Sequence, residues 1–285
     1  MSGRADIRIL ALDLDGTVLG AGNRLAPRAV EAVAAFRATG RQLVVASGRA
    51  RRAALPWAGA LGGASALICH NGAAVYDLGA GSDGGGSAAT ATDGGAPIAE
   101  TYLPEETARR LVELSRRLEL HFHGFHGDDW LYERELYGTP VYEARAGFAG
   151  SRVDFDTLPN LRFYKAMFVD REGEAIEEAA ARARELCGRD AAVISSGPGF
   201  LEIVAAGVSK AVGLRSWLDR RGLGLEQVLA IGDADNDEEM LLAAGIGVAM
   251  GDAPAAMRAR VGRVTGSFAE DGAATAIEAF LAGRL

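Results

Sequence analysis

Short apolar runs alternate with amphipathic segments at both ends of the chain. Residues 7–12, 42–46 and 66–69 are apolar runs of strand length, and the segments 27–39 and 51–61 between them carry apolar residues at helical spacing. After residue 207 the alternation resumes, with predicted helices at 210–221, 238–244 and 273–282, a short helix at Pro254, and predicted strands at 227–231 and 247–249. Strands that alternate with helices predict a doubly wound, parallel α/β sheet of the Rossmann-like type.

The middle of the chain has a different pattern. Helices are predicted at 104–118 and 172–186, two strands around a turn at 127–129, a strand at 161–169, and a hairpin of 192–195 and 200–204 around the turn 197–199. This mixed order is typical of an α+β domain inserted into the α/β core. We therefore expect a core formed by 1–81 and 207–285 and an inserted α+β domain at 82–206.

Composition narrows the classes of protein that fit. Apolar residues make up 49% of the 285 residues, and the formal net charge is -8, which disfavours binding to nucleic acids or anionic membranes. Two cysteines provide neither a disulfide framework nor a CxxC metal site. Asp13 and Asp15 interrupt the first apolar run, and no stretch reaches the roughly 18 apolar residues of a membrane span. We expect a cytoplasmic protein.

A glycine-rich stretch at 79–97 contains a formal GxGxxG pattern at Gly79, Gly81 and Gly84. A dinucleotide-binding fingerprint of this form must open a helix, and no helix is predicted after it. The stretch is therefore predicted to be a low-complexity loop rather than a nucleotide site.

Two carboxylates follow the first predicted strand. Asp13 and Asp15 stand two positions apart, so an extended backbone points both to the same side, and Gly16 allows the chain to turn away. One such aspartate can accept a phosphoryl group, and the other can protonate a leaving group. A DxDG sequence is also common in ordinary surface turns, so this motif alone leaves both interpretations open.

A second acidic loop, GDADND at 232–237, lies between a predicted strand and a predicted helix. Clustered carboxylates at a strand end suit Mg²⁺, with Asp233 as the expected direct ligand and Asp237 holding the ion through water. Stabilisation of the following helix by acidic residues in its first turn is the alternative.

Hydroxyl and basic residues complete the set of strand-end loops. Ser47, Gly48 and Arg49 follow the second strand, where a hydroxyl and backbone N–H groups can hold a phosphate, although Ser47 could equally be a helix cap. Lys210 follows Ser209 in the first turn of a predicted helix and could hold the phosphate and offset the charge of the nucleophile. Together these loops carry the groups that phosphoryl transfer requires.

The motifs DLDGT, ASGR, GVSK and GDADNDEEML resemble, in type and order, those of the haloacid dehalogenase superfamily, in its Cof-type branch (subclass IIB) of Mg²⁺-dependent phosphatases with a type-2 cap. The segments HNGAAVYD at 70–77, VAMGDAP at 248–254 and EDGAATAIEAFL at 270–281 also resemble this branch, so the similarity covers nearly the whole chain. Two departures are Ala211, where the family often has glycine, and the length of the stretch 79–97.

The resemblance implies specific roles for the aspartates and for the phosphate-binding residues. Asp13 would be the nucleophile and a metal ligand, and Asp15 would be the general acid and base, with its backbone carbonyl on Mg²⁺. Ser47 and Lys210 would bind the transferring phosphate, with help from Asn236.

The remaining roles implied by the resemblance belong to the metal site and the cleft. Asp233 would ligate Mg²⁺, and Asp237 would support the metal directly or through water. Asn71, in the HNG turn, would face the cleft between core and cap.

The inserted domain is expected to select the substrate. The candidate contacts are Arg49, Asn71, His123, Trp130 and Arg162. His121, His123 and His126 could indicate a second metal, but their alternating pattern without a nearby cysteine favours ordinary strand side chains.

The expected activity is the Mg²⁺-dependent hydrolysis of a small phosphomonoester, such as a sugar phosphate, through an aspartyl phosphate. A sugar phosphomutase and a non-catalytic regulator that binds Mg²⁺ and phosphate are the alternatives. We expect a small phosphorylated metabolite as the partner, and a chain that is a monomer or a small homo-oligomer.

Overall fold

Two large sheets organise the chain in this computed structural model, in which residues 6–79, 95–170, 174–195 and 199–285 are described. The chain divides into two compact units. The first unit comprises Met1–Gly48, Ala54–Ala99 and Ser209–Leu285, and the second comprises Arg49–Ala53 and Glu100–Val208.

The strands and helices follow the chain in an order close to the predicted one. The first part holds β1 (Ile9–Leu12), β2 (Leu19–Gly20), β3 (Arg24–Leu25), α1 (Pro27–Arg37), β4 (Gln42–Ala46), α2 (Arg51–Ala60), β5 (Ala66–Cys69), β6 (Ala74–Asp77) and β7 (Ala99–Glu100). The middle holds α3 (Glu105–Leu118), β8 (His121–His126), β9 (Asp129–Tyr132), α4 (Gly138–Ala146), β10 (Ser151–Arg152), β11 (Lys165–Val169), α5 (Glu174–Cys187), β12 (Ala191–Ser195) and β13 (Phe200–Ala205). The last part holds α6 (Lys210–Asp219), β14 (Val228–Gly232), α7 (Glu238–Ala243), β15 (Ile246–Ala249), α8 (Ala255–Val261) and α9 (Gly272–Leu281).

The sheet of the first unit has the strand order β15-β14-β1-β4-β5-β6-β7. Strands β15, β14, β1, β4 and β5 are parallel, with Leu12 paired to both Ile231 and Val45. The last residues of β1, β4 and β14 therefore lie at the same edge of the sheet, which is where open α/β sheets bind their ligands. The predicted α/β fold class is confirmed.

Alternation along the buried strands supplies apolar side chains to both faces of this sheet. Ile9 and Ala11 of β1 belong to a core cluster that also contains Leu214 and Trp217 of α6. Elsewhere in the unit α1 packs against α9, where the rings of Phe36 and Phe280 lie 5.7 Å apart.

The sheet of the second unit has the order β10-β9-β8-β11-β13-β12. Strand β11 pairs antiparallel with β8 and with β13, so it lies in the interior of the sheet. Its alternate side chains point to opposite faces and belong to two different hydrophobic clusters. Ala166 and Phe168 pack beneath helices α3 and α5, and Met167 and Val169 pack with the aromatic residues of the opposite face.

Most predicted elements are confirmed within one to four residues of their bounds, but five of the described strands and one described α-helix were not predicted. β2 and β3 form a short hairpin, β6 pairs antiparallel with β5 at the far side of the parallel strands, and β7 and β10 are two-residue strands. Helix α4 lacks a clear apolar stripe, because only Gly138, Thr139 and Tyr142 are buried, so the periodicity did not indicate it. No helix in the described ranges has the length and apolar content needed to span a bilayer.

Several sequence predictions fall on residues outside the described ranges. These are the first predicted domain boundary at 81/82, most of the glycine-rich stretch 79–97 with Gly81 and Gly84, and most of the turn 197–199. The division into 1–81 with 207–285 and 82–206 therefore stays a prediction.

Candidate active site

Strand β1 leads directly into the DLDGT motif. The Asp13 N–H donates to the Ile231 carbonyl at 3.1 Å, which holds Asp13 at the edge of the sheet. Asp13 is only 4% exposed. Gly16 then takes φ +81°, and its N–H donates to the Leu19 carbonyl at 2.8 Å. Asp15, two positions after Asp13, is exposed. The tight turn thus buries Asp13 and leaves Asp15 exposed.

The GDADND loop brings two further carboxylates to Asp13. Carboxylate oxygens of Asp13, Asp233 and Asp237 all lie within 4.8 Å of one another, and we call these three residues the carboxylate cluster. Asp237 is fully buried, and its Oδ2 accepts from the backbone N–H groups of Asp233 at 3.2 Å and Ala234 at 3.1 Å. The Thr17 hydroxyl donates to Asp233 Oδ1 at 3.0 Å.

Lys210 links two members of the carboxylate cluster. Its Nζ donates to Oδ1 of Asp13 and to Oδ1 of Asp237, each at 2.6 Å, and the residue is 1% exposed. Ser209 caps helix α6 by accepting from the Val212 N–H at 3.2 Å, which fixes the helix start that carries the lysine. A lysine in the first turn of a helix is therefore a buried cation here.

Burial and mutual repulsion alter the protonation of the cluster. Burial, followed by repulsion from Asp237, raises the pKa of Asp13 well above its usual value of 3.8. The same two causes raise the pKa of Asp233 to about 7. Burial alone would lower the pKa of Lys210, but the carboxylates of Asp13 and Asp237 raise it. Three carboxylates face one ammonium group, and this excess of negative charge fits a bound cation.

Two further loops at the same edge of the sheet carry polar side chains. Ser47 is fully buried after β4, and its carbonyl accepts from the Asn71 N–H at 3.2 Å. Asn236 donates through Nδ2 to Asn71 Oδ1 at 2.9 Å. A Cβ on Gly48 would lie 2.8 Å from Asn71 Oδ1, so the glycine is needed for this close approach. The structure thus brings Ser47, Gly48, Asn71 and Asn236 together.

Thr17 is the residue of this site that sequence reasoning missed. It is 1% exposed, and its hydroxyl orients one member of the carboxylate cluster from a loop 216 residues away in the chain. Its place in the DLDGT motif was the available signal.

The candidate substrate residues of the second unit have other surroundings. His123 and Trp130 are fully buried in an aromatic cluster, where the His123 ring lies 4.0 Å from that of Tyr142. Arg162 is exposed, and its guanidinium stacks 4.2 Å above the ring of Tyr102. Arg49 is half-buried in the segment Arg49–Ala53. Contact of these four residues with a substrate stays a prediction. For His123 and Trp130 the complete burial of the side chains does not favour such a contact.

The three histidines of β8 do not share one face. Nε2 of His121 lies 3.0 Å from Nδ1 of His123, whereas His126 is exposed and its Nδ1 lies 3.1 Å from the Arg162 carbonyl. Burial lowers the pKa of His121 to about 4 and also lowers the pKa of His123. Two neutral imidazoles packed among aromatic rings are strand side chains of the interior.

Comparison with known proteins identifies the family of this chain. The model of the haloacid dehalogenase-like hydrolases matches residues 10–277. The pyridoxal phosphate phosphatase YbhA of Escherichia coli K12 is 30% identical over 301 residues, covering 96% of this chain and 98% of its own. The HMP-PP phosphatase of Serratia proteamaculans is 28% identical over 252 residues, covering 86% of this chain and 84% of its own.

Solved structures show the same architecture. A haloacid dehalogenase-like hydrolase from Bacteroides thetaiotaomicron has a TM-score of 0.81 and 28% identity, covering 96% of this chain and 99% of its own. A subclass IIB sugar phosphatase of the same superfamily shares the fold, with a TM-score of 0.82 at 21% identity and coverage of 98% and 100%. The resemblance indicated by the four motifs is confirmed, and the chain belongs to the haloacid dehalogenase-like hydrolases.

Proposed function

We propose that this chain is a Mg²⁺-dependent phosphatase of the Cof type, which hydrolyses a small phosphomonoester through an aspartyl phosphate on Asp13. The observation that carries the proposal is the carboxylate cluster, in which the buried Asp13 is held by the ammonium group of Lys210 at 2.6 Å. A carboxylate fixed in this way at the ligand-binding edge of an α/β sheet is arranged to act as a nucleophile.

The donor set fits a divalent cation. Asp13, Asp233 and Asp237 offer hard oxygen ligands within 4.8 Å of one another, and burial of their charges is unfavourable without a counter-charge. These three residues, with the backbone carbonyl of Asp15 that the motif implies, would hold Mg²⁺. When bound, the ion would neutralise negative charge on the phosphoryl group and on the carboxylates.

The protein groups divide the reaction into two steps. Asp13 Oδ attacks phosphorus, the bond to the ester oxygen breaks, and Asp15 gives its proton to the leaving alcohol. Asp15 then takes a proton from the water that attacks the aspartyl phosphate, which releases inorganic phosphate and restores Asp13. The exposure of Asp15 supports its contact with leaving group and water, while the burial of Asp13 supports its role in phosphate transfer.

The remaining polar groups would bind the phosphate. Lys210, Ser47, the Gly48 backbone N–H and Asn236 would surround its oxygens and stabilise the charge that develops in transfer. The names of the relatives, a pyridoxal phosphate phosphatase and an HMP-PP phosphatase, support phosphorylated small metabolites as the substrate class. The second unit would select the leaving group of the substrate.

The test is phosphate release from a panel of sugar phosphates, pyridoxal phosphate and HMP-PP, with wild type and Asp13→Asn compared in Mg²⁺ and in EDTA. We expect release in Mg²⁺ only, and a fall of about 10³-fold or more in Asp13→Asn with the fold retained. Asp219→Asn removes an exposed charge of helix α6 and serves as the control with the wild-type rate.

Four outcomes would contradict parts of the proposal. An Asp13→Asn variant with the wild-type rate overturns the aspartyl phosphate, and turnover that persists in EDTA overturns the metal. Isomerised phosphate esters without free phosphate would indicate a mutase, and phosphate binding without any turnover would indicate a regulator.

A further inference from the structure

The HNG turn, His70–Gly72, joins β5 to β6 in a strained conformation. His70 has φ +52° and Asn71 has φ +59°, so two successive residues other than glycine are left-handed. This backbone region is sparsely populated by L-residues and is retained where the surrounding structure requires it. Both residues are buried, at 0% and 2% exposure. The turn is therefore held in place by what packs around it.

Asn71 contacts two separate loops of the site. Its backbone N–H donates to the Ser47 carbonyl at 3.2 Å, and its side-chain Oδ1 accepts from Asn236 Nδ2 at 2.9 Å. A Cβ on Gly48 would lie 2.8 Å from the same Oδ1, so Asn71 also packs closely against the Gly48 backbone. One residue thus joins the loop after β4 to the loop after β14.

The next residue of the turn abuts a third loop. A Cβ on Gly72 would lie 2.0 Å from the Ser209 carbonyl oxygen, so the turn packs directly against the start of the helix that carries Lys210. This close packing allows only glycine at position 72 and leaves Asn71 little freedom to move away from Asn236.

The carboxamide of Asn236 depends on this contact for its orientation. In the described part of the chain the Oδ1 of Asn236 is buried without a hydrogen-bond partner. The hydrogen bond from its Nδ2 to Asn71 is therefore the contact that orients the Asn236 carboxamide. Loss of the Asn71 carboxamide would leave the Asn236 side chain free to rotate about χ2.

We infer that Asn71 is a positioning residue, which holds the Asn236 carboxamide and the Ser47 loop in register for the phosphate rather than contacting the substrate itself. The inference rests on the proposed function, in which Asn236 and Ser47 bind the transferring phosphate. The sequence predicts a substrate contact for Asn71. In the role inferred from the structure, Asn71 instead acts through Asn236, which lies 165 positions away in the chain.

A double-mutant cycle tests this role. Asn71→Gly keeps the left-handed backbone accessible and removes only the side chain, and Asn236→Ala removes the partner. We would measure the affinity for inorganic phosphate in Mg²⁺ by calorimetry, together with kcat and KM on the best ester of the panel. Glu119→Gly, which replaces an exposed left-handed residue with φ +55° at the end of α3, is the matched control.

We expect Asn71→Gly and Asn236→Ala each to weaken phosphate affinity about tenfold, the loss of one hydrogen bond to a charged group. The double variant should lose no more than Asn236→Ala alone, and Glu119→Gly should match the wild type. Wild-type affinity in Asn71→Gly, or losses that multiply in the double variant, would overturn the inference.

The proposed function fails in a different way from this inference. A wild type that binds phosphate but hydrolyses no ester overturns the proposed hydrolysis and leaves the cycle measurable by calorimetry. A wild type that hydrolyses esters while Asn71→Gly is unaffected overturns the positioning role alone, and a wild type that shows neither binding nor turnover overturns both.

Discussion

Gly16 occupies the point where the DLDGT turn passes closest to the GDADND loop. A Cβ at this position would lie 2.1 Å from Asp233 Oδ2, and φ is +81°, so both space and backbone conformation require glycine. The Asp233 carboxylate can approach the DLDGT turn this closely because Gly16 has no side chain. The function of Asp233 therefore depends on the residue type at position 16 as well as on its own carboxylate.

We predict that Gly16→Ala displaces Asp233 and impairs the site. The expected loss is about 1–3 kcal/mol of unfolding free energy and roughly 100-fold in kcat/KM, because a misplaced ligand costs far more in rate than in stability. Gly22→Ala is the control, since φ there is +68° and no atom lies within 4 Å of its Cβ. Denaturant unfolding and initial rates measure the two effects. Equal rates in the two variants would show that strain alone, rather than the displaced carboxylate, governs position 16.

At the scale of elements, the antiparallel pair β11–β13 holds a buried ion pair inside the second unit. Lys165 Nζ lies 3.0 Å from Glu202 Oε1, the side chains are 2% and 5% exposed, and the ammonium group lies 4.9 Å from the Phe125 ring. Withdrawal of both charges from water opposes folding, and their mutual attraction offsets that cost only while both are present. The two strands therefore tolerate both charges or neither.

We predict that Lys165→Met alone lowers the unfolding free energy by about 3 kcal/mol, because it removes the ammonium group that faces the buried Glu202 carboxylate. The double variant Lys165→Met/Glu202→Leu should return to within about 1 kcal/mol of the wild type. Arg110→Met breaks an exposed pair with Glu106 and should change stability by at most about 0.5 kcal/mol. Denaturant titrations of the wild type and these three variants measure the differences in unfolding free energy. A double variant as unstable as Lys165→Met would contradict this account.

At the scale of the whole molecule, excess negative charge connects the site to stability. The chain carries a formal net charge of -8, and the carboxylate cluster concentrates three acidic groups around one lysine. The pKa of Asp233 is raised from 3.8 to about 7, so the folded chain keeps a proton that the unfolded chain has lost. The stabilising contribution of this group is therefore complete below pH 3.8 and is lost as the pH rises through about 7.

We predict that Mg²⁺ stabilises the protein more strongly at pH 8 than at pH 6, since the ion competes with protons for the cluster. At one hundred times its Kd the ion should add about 2.7 kcal/mol, visible as a rise in Tm. Asp233→Asn should abolish the rise, and Asp235→Asn, an exposed neighbour in the same loop, should retain it. Thermal unfolding in Mg²⁺ and in EDTA at both pH values decides the matter. A Tm shift of the same size at pH 6 and pH 8 would count against a site formed by these carboxylates.

Local sequence patterns were sufficient for the core elements and for the position of the site. Residues 42–46 and 66–69 were predicted as strands and match β4 and β5, because an uninterrupted apolar run of that length is buried on both faces of a parallel sheet. Each motif follows a strand in the sequence, and parallel strands place those ends at one edge. The order of strands and motifs along the chain therefore predicts the convergence of Asp13, Ser47 and Asp233 on one edge of the sheet.

The contacts of individual side chains follow from the three-dimensional packing. The bonds from Thr17 to Asp233 and from Asn236 to Asn71 join residues 216 and 165 positions apart, and no local pattern specifies such a pair. The burial of Lys210, with the consequent rise in its pKa, likewise depends on three loops meeting around it. The fold, the family motifs and the edge of the sheet that carries the chemistry could be predicted from the amino-acid sequence, because they follow from local periodicity and chain order. Hydrogen-bond partners, charge balance and strain were decided by packing, because they depend on distances between segments that lie far apart in the chain.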